Sequence, residues 1–199
     1  MLRARMPSDA STPAPAPAGD AALPPPPSRR SRLVLVLATL IPALALDLWT
    51  KQLAWDHLRH PESGRPLSKI IKEGLFHLEF AFNTGSAFGF LRDAEWSRYF
   101  FIAITVAAVV YMARLAWTLP TRWPSAFVAI GLIASGALGN LHDRFVRIYD
   151  GNYGVVDFIV VFYWPGKRWP AFNIADAALV AGVLLFMIYL RRHGDRPNG

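Results

Sequence analysis

Two aspartates, Asp157 and Asp176, stand beside segments apolar enough to cross a membrane. Asp157 lies in Val-Val-Asp-Phe (155–158), and Asp176 closes Phe-Asn-Ile-Ala-Asp (172–176). Carboxylates at the edge of hydrocarbon are costly to keep there, so they mark function or pairing. Two carboxyls that converge can share a proton and activate a water, as an aspartic-protease dyad does. Val155, Val156, Phe158, Ile159, Val160 and Val161 surround Asp157 in sequence. Such surroundings raise a carboxyl pKa by desolvation. Asp176 falls at the third position of a helix for which Asn173 is the N-cap, and a helix N-terminus favours negative charge. One carboxyl pushed towards neutral beside one held charged suits a general acid paired with a general base. In the alternative reading, Asp176 is half of a helix cap and Asp157 a charge at a strand end. Spacing alone leaves both open.

Other polar residues cluster near the same span ends. Asp47 and Lys51 are four apart, acid first, the favourable helical order. They read as a structural pair that neutralises itself near hydrocarbon, with direct catalysis the other possibility. Asn83-Thr-Gly-Ser-Ala-Phe-Gly89 is rich in small residues. Gly85 and Gly89 permit close backbone approach or positive φ, or simply mark a turn. In Gly136-Ala-Leu-Gly-Asn140, the two glycines let a neighbouring helix pack closely. Asn140, Asp143 and Arg144 then reach the interface. In one reading Asp143 and Arg144 pair with each other or with solvent; in the other, the amide or guanidinium here holds a peptide backbone or orders a carboxylate. His57 and His60 lack a third ligand, and no His-Glu-x-x-His, Gly-x-Ser-x-Gly or phosphate loop exists. Cysteine is absent, which excludes a disulfide framework, thiolate ligation and a thiol nucleophile.

The elements that must position these residues are mostly membrane spans. The 199 residues are 53% hydrophobic and 18% charged. Four apolar runs approach the roughly 20 helical residues that a bilayer core requires. They cover about 33–49, 99–119, 127–141 and 171–190, the third short and Gly-rich. Net charge is +7, but the basic residues flank spans instead of forming a nucleic-acid patch. Arg29, Arg30 and Arg32 precede the first span, and Arg191, Arg192 and Arg196 follow the last. An even number of spans with basic ends places both termini in the cytoplasm. The external loop with Arg59, Arg65, Lys69 and Lys72 blurs that bias, although long loops weigh little. Residues 1–31, Pro/Ala-rich, read as a disordered cytoplasmic tail, and 194–199 as a second short tail. Arg29–Leu46 also fits a cleaved signal sequence ending at Ala43-Leu44-Ala45. Three further spans, and Asp47 and Lys51 in helical step beyond that site, favour a retained span. Between the first two spans, Phe76, Leu78, Phe80 and Phe82 alternate with His77, Glu79 and Ala81, predicting a strand. No internal repeat is present, which disfavours an inverted-repeat transporter using the aspartates as a proton relay.

Taken together and in order, Asp47-Leu-Trp-Thr-Lys51, Asn83–Gly89, Gly136–Asn140 with Asp143-Arg144, Val155–Ile159 and Phe172–Asp176 resemble the lipoprotein signal peptidases (signal peptidase II). These are bacterial membrane aspartyl peptidases. The resemblance covers nearly everything after residue 32. It implies four transmembrane helices over 32–193, a small external β-sheet shaped as a cradle, and a short external amphipathic helix. It implies cleavage of prolipoproteins before a diacylglyceryl-modified cysteine, with Asp157 and Asp176 catalytic. Asn83, Gly85, Asn140, Arg144 and Asn173 then support the site or bind substrate, and Asp47 and Lys51 remain a structural pair. The implied partners are lipid-modified prolipoproteins and membrane lipid, with no nucleic acid, no metal and no cofactor, for a monomer in the bacterial inner membrane with its site at the outer face. An inactive structural homologue is the remaining alternative. Phe145–Gly154 is longer than is usual for the family, which bears on the geometry leading into Asp157.

Overall fold

The computed structural model describes residues 25–59, 68–85 and 96–193. His60, Arg65, Ser86 to Gly89, most of the expected N-terminal tail and the short C-terminal tail lie outside the described residues. Four long helices dominate the described residues: α1 (Arg29–His57), α2 (Ser97–Thr118), α3 (Pro124–Val146) and α4 (Ile174–His193). All four are long and apolar enough to cross a membrane. Helix α1 begins inside the stretch read as tail and runs on to His57 without a break at Ala43–Ala45. Its N-cap is Ser28, whose side chain accepts from Ser31 N, satisfying one of the donors that a helix start leaves free.

Helix α3 is the central helix. Of its apolar stretch 56% is buried, against 6–17% in the other three. Small residues explain this, because Ala126, Ala129, Ala134, Gly136, Ala137 and Gly139 let neighbours approach its backbone. A Cβ at Gly136 would strike the Ala175 carbonyl oxygen and lie 2.9 Å from Leu179 Cβ. Leu33, Leu37 and Ile41 on α1, Ile104 and Val110 on α2, and Val180, Leu184 and Met187 on α4 are exposed, the apolar surface that lipid would cover.

At one end of the bundle lies a four-stranded antiparallel sheet. It is built from β1 (Ser68–Lys72), β2 (Phe76–Asn83), β5 (Val155–Trp164) and β6 (Lys167–Arg168), paired in the order β1-β2-β5-β6. The alternation of residues 76–82 forms β2 as the sequence predicts. Phe80 joins Val156, Phe158, Ala54 and Leu58 in a core under the sheet, with Trp55 and Tyr149 packed against it. The start of β5 is buried on both faces, which is why Val155–Val161 shows no apolar–polar alternation.

The Phe145–Gly154 stretch proves to be the end of α3 followed by a hairpin, β3 (Ile148–Tyr149) and β4 (Asn152–Tyr153). Its turn residues Asp150 and Gly151 both have positive φ, 50° and 73°, as a tight two-residue hairpin turn requires. Tyr149 lies 5.3 Å from the Phe80 ring centre and 5.6 Å from that of Phe82. The longer segment is therefore folded onto the sheet and feeds directly into β5. No short external helix occurs among the described residues.

Candidate active site

Backbone pairing brings the two aspartates together. Asn83 stands opposite Val155, and Ala81 opposite Asp157, across β2 and β5. Opposite and diagonal residues of an antiparallel pair share a face, so Asn83 reaches Asp157. Its Nδ2 donates to Asp157 Oδ2 at 3.0 Å. Asn83 is itself fixed by its turn, where Gly85 N donates to Asn83 Oδ1 at 2.9 Å and Gly85 has φ 103°.

Asp176 arrives by a second route. Phe172 bridges to Ile159, with Ile159 N donating to Phe172 O at 2.8 Å and Phe172 N to Ile159 O at 3.0 Å. This docks the start of α4 onto β5 beside Asp157. There Asn173 and Asp176 form a reciprocal capping box. Asp176 N donates to Asn173 Oδ1 at 2.9 Å, and Asn173 N to Asp176 Oδ2 at 3.2 Å. With its oxygen so committed, the Asn173 amide turns its Nδ2 towards Asp157 Oδ1 at 2.7 Å. One asparagine thus touches both carboxyls.

A buried cation anchors the far side. Lys51 and Asp47 are almost wholly buried and 2.9 Å apart. Lys51 Nζ also donates to Asn140 Oδ1 at 2.8 Å, and Asn140 Nδ2 donates to Asp176 Oδ1 at 2.7 Å. Asp47 Oδ1 accepts from Ala175 N at 2.8 Å, so it also pins the first turn of α4. A Cβ at Gly139 would collide with Asp47 Oδ2. The structural pair expected from spacing is present, and its reach into α3 and α4 was not legible in the sequence.

Asp143 differs from the sequence expectation. It forms no ion pair with Arg144 and is fully buried away from solvent. It accepts from Val156 N at 3.1 Å and faces Lys51 at 3.6 Å and Arg147 at 3.7 Å. It ties α3 to the start of β5. Arg144 instead donates from Nη1 to Asn140 O, and its charge interacts with those of Asp157 and Asp176.

Asp157 is 3% exposed. Burial, and secondly the charge of Asp176, push its carboxyl from an ordinary 3.8 up to about 7, against the lowering effect of Asn83. Beside Asp176 opens an apolar groove of about 440 Å³, lined by Trp169, Phe172, Val180, Ala181 and Leu184 among others. No group of three or more His, Cys, Asp or Glu among the described residues is arranged to hold a metal.

The geometry is that of two carboxyls held by amides above a membrane bundle. Residues 39–192 match the family described as signal peptidase (SPase) II. The chain belongs to the signal peptidase II family. Curated members include the lipoprotein signal peptidase of Acinetobacter baumannii strain ATCC 17978, 42% identical over 149 residues, 73% of this chain and 77% of that one. The lipoprotein signal peptidase of Nitratidesulfovibrio vulgaris strain DP4 is 36% identical over 176 residues, 86% of this chain and 97% of the other. A solved bacterial membrane enzyme superposes with TM-score 0.64 at 25% identity, over 83% of this chain and 90% of its own. The signal peptidase II assignment makes this a multi-pass bacterial membrane protease, and nothing in these likenesses favours a transporter or an inactive homologue.

Proposed function

We propose that this chain removes signal peptides from diacylglyceryl-modified prolipoproteins, cutting before the lipidated cysteine, with Asp157 and Asp176 as the reacting carboxyls. The observation that carries the assignment is Asn173, which donates to Asp157 and completes the cap with Asp176. In the free enzyme Asp157 holds the dyad's proton, since burial and Asp176 together raise its carboxyl to about 7. Asp176, ionised, takes a proton from the attacking water as its oxygen adds to the scissile carbonyl carbon. Asp157 gives its hydrogen bond to the carbonyl oxygen. Collapse of the tetrahedral intermediate breaks the C–N bond, and the proton gained by the dyad passes to the leaving amine. No covalent intermediate forms.

Asn83, Gly85 and Arg144 hold the peptide backbone, while Asn140 and Asn173 orient the carboxyls. The apolar groove beside Asp176 supports lateral access from the bilayer for a lipid-bearing substrate. Both termini lie in the cytoplasm, the dyad lies at the outer face, and the working unit is residues 32–193 as a monomer. One chain supplies every residue of the network, which supports the monomer.

The test is cleavage of a lipid-modified prolipoprotein by purified protein, normalised to folded enzyme. Asp157→Asn and Asp176→Asn should each lower turnover at least about a thousand-fold, as expected when one member of a reacting unit is lost. Substantial turnover by either variant would remove that residue from the dyad.

A further inference from the structure

Helix α2 carries no residue of any motif, yet it touches the site at two points. Arg98 and Phe101 are three apart and so lie on one helical face. Arg98 Nε donates to Arg144 O at 3.0 Å, and its Cζ lies 3.4 Å from the Tyr153 ring centre. Phe101 does more. The Arg144 guanidinium carbon lies over its ring, 5.3 Å from the centre, within range of a cation–π attraction. The same ring closes against Gly85, where an added Cβ would lie 2.7 Å from Phe101 Cε2.

Two paths therefore run from Phe101 to the reacting pair. One passes through the Gly85 N–H to Asn83 Oδ1 and from Asn83 Nδ2 to Asp157. The other passes through Arg144, whose charge interacts with both aspartates. We propose that Phe101 is a positioning residue for the hydrolysis, its ring wedged between the Asn83–Gly85 turn and the Arg144 guanidinium so that both are fixed against the substrate backbone. The wedge needs a flat, rigid ring: it offers its face to a cation and its edge to a glycine that leaves no room for a side chain. Leucine matches much of the bulk but lacks the quadrupole that attracts the guanidinium. The proposal rests on Asp157 and Asp176 being the reacting pair.

The full chain in detergent, assayed on a lipid-modified prolipoprotein, provides the test, with kcat, KM and thermal unfolding measured together. Phe101→Leu should lower kcat/KM about ten-fold at nearly unchanged melting temperature, and Phe101→Tyr should retain wild-type kcat/KM. In an Arg144→Lys background, Phe101→Leu should cost less, about three-fold, because the Arg144 path is already weakened while the path through Gly85 and Asn83 remains. Equal losses in the two backgrounds, or an undiminished Phe101→Leu enzyme, would overturn the proposal. If Phe101→Leu does not accumulate, Phe101→Met replaces it. Retained turnover by Asp157→Asn overturns the dyad. Additive losses with Asp157→Asn inactive overturn only the role of Phe101.

Discussion

Asp157 and Lys51 show how far one buried group can set the behaviour of the molecule. The Asp157 carboxyl is raised from 3.8 to about 7, so the folded state holds this proton more tightly than the unfolded chain. The stability it contributes is fully present below about pH 4 and is lost as pH rises through about 7. Asp157→Asn should therefore match the wild type near pH 4 and exceed it at pH 8 by on the order of 2–4 kcal/mol. Denaturant unfolding in detergent at the two pH values checks this, and a difference independent of pH would show that Asp157 carries no such proton. Turnover of the wild type should fall above pH 7 as the acid is lost. Lys51 faces Asp47 and Asp143 with no exposure to solvent. Lys51→Met leaves Asp47 buried without its cation and leaves Asp143 to Arg147, and should cost about 3–5 kcal/mol. Asp47→Asn keeps an acceptor for Ala175 N but removes the nearest counter-ion of Lys51. It should lower the melting temperature by less, with turnover per folded molecule largely retained.

Among the elements, the contact between α3 and α4 carries the greatest consequence for chemistry. Asp176 rides on the first turn of α4, and that turn sits against Gly136, where an added Cβ would meet the Ala175 carbonyl. Gly136→Leu should displace the turn and lose most turnover while helical content by circular dichroism stays near normal. Loss of helix along with activity would instead mean that the glycine serves folding alone. The β3–β4 hairpin is separable from this. Gly151 has φ 73° and open space around its Cβ position, so Gly151→Val should cost about 1–2 kcal/mol through backbone strain without touching the dyad. Asp150-Gly151 is a strong hairpin signal in the sequence, and it identifies what the longer stretch before Asp157 becomes.

For the whole molecule, the arrangement is a bundle with one chemically active end. Asp47, Lys51, Asn140, Asp143 and Asp176 come from three helices, and the sheet brings Asn83 and Asp157 to the same end. Reporter fusions should find both termini cytoplasmic, which places that end outside. Removal of residues 1–24 should leave activity in membranes unchanged. Removal of 1–28 also takes Ser28, the cap of α1, and Pro27, whose carbonyl accepts from Arg32 Nε. That longer truncation should cost about 1 kcal/mol, read as a lower melting temperature beside the 1–24 truncation.

The sequence by itself determined what depends on neighbours along the chain. Span lengths follow from hydropathy, β2 from alternation, the Asn173–Asp176 cap from a three-residue offset, and the Asp47–Lys51 pair from a four-residue one. All were legible because helix and strand periods fix which nearby residues share a face. The tertiary structure alone decided what depends on distant segments meeting. The Phe172–Ile159 bridge that carries Asp176 to Asp157, the burial of Asp143 against Val156 N and the reach of Lys51 to Asn140 leave no local signature. The same is true of Phe101, one aromatic among many in an apolar helix until Gly85 and Arg144 are seen on either side of it. Hydrocarbon accepts almost any apolar face, so hydropathy says that a helix spans and not which side it turns inward. That choice falls to close backbone contacts at Gly136 and Gly139 and to buried polar groups that must each find a partner.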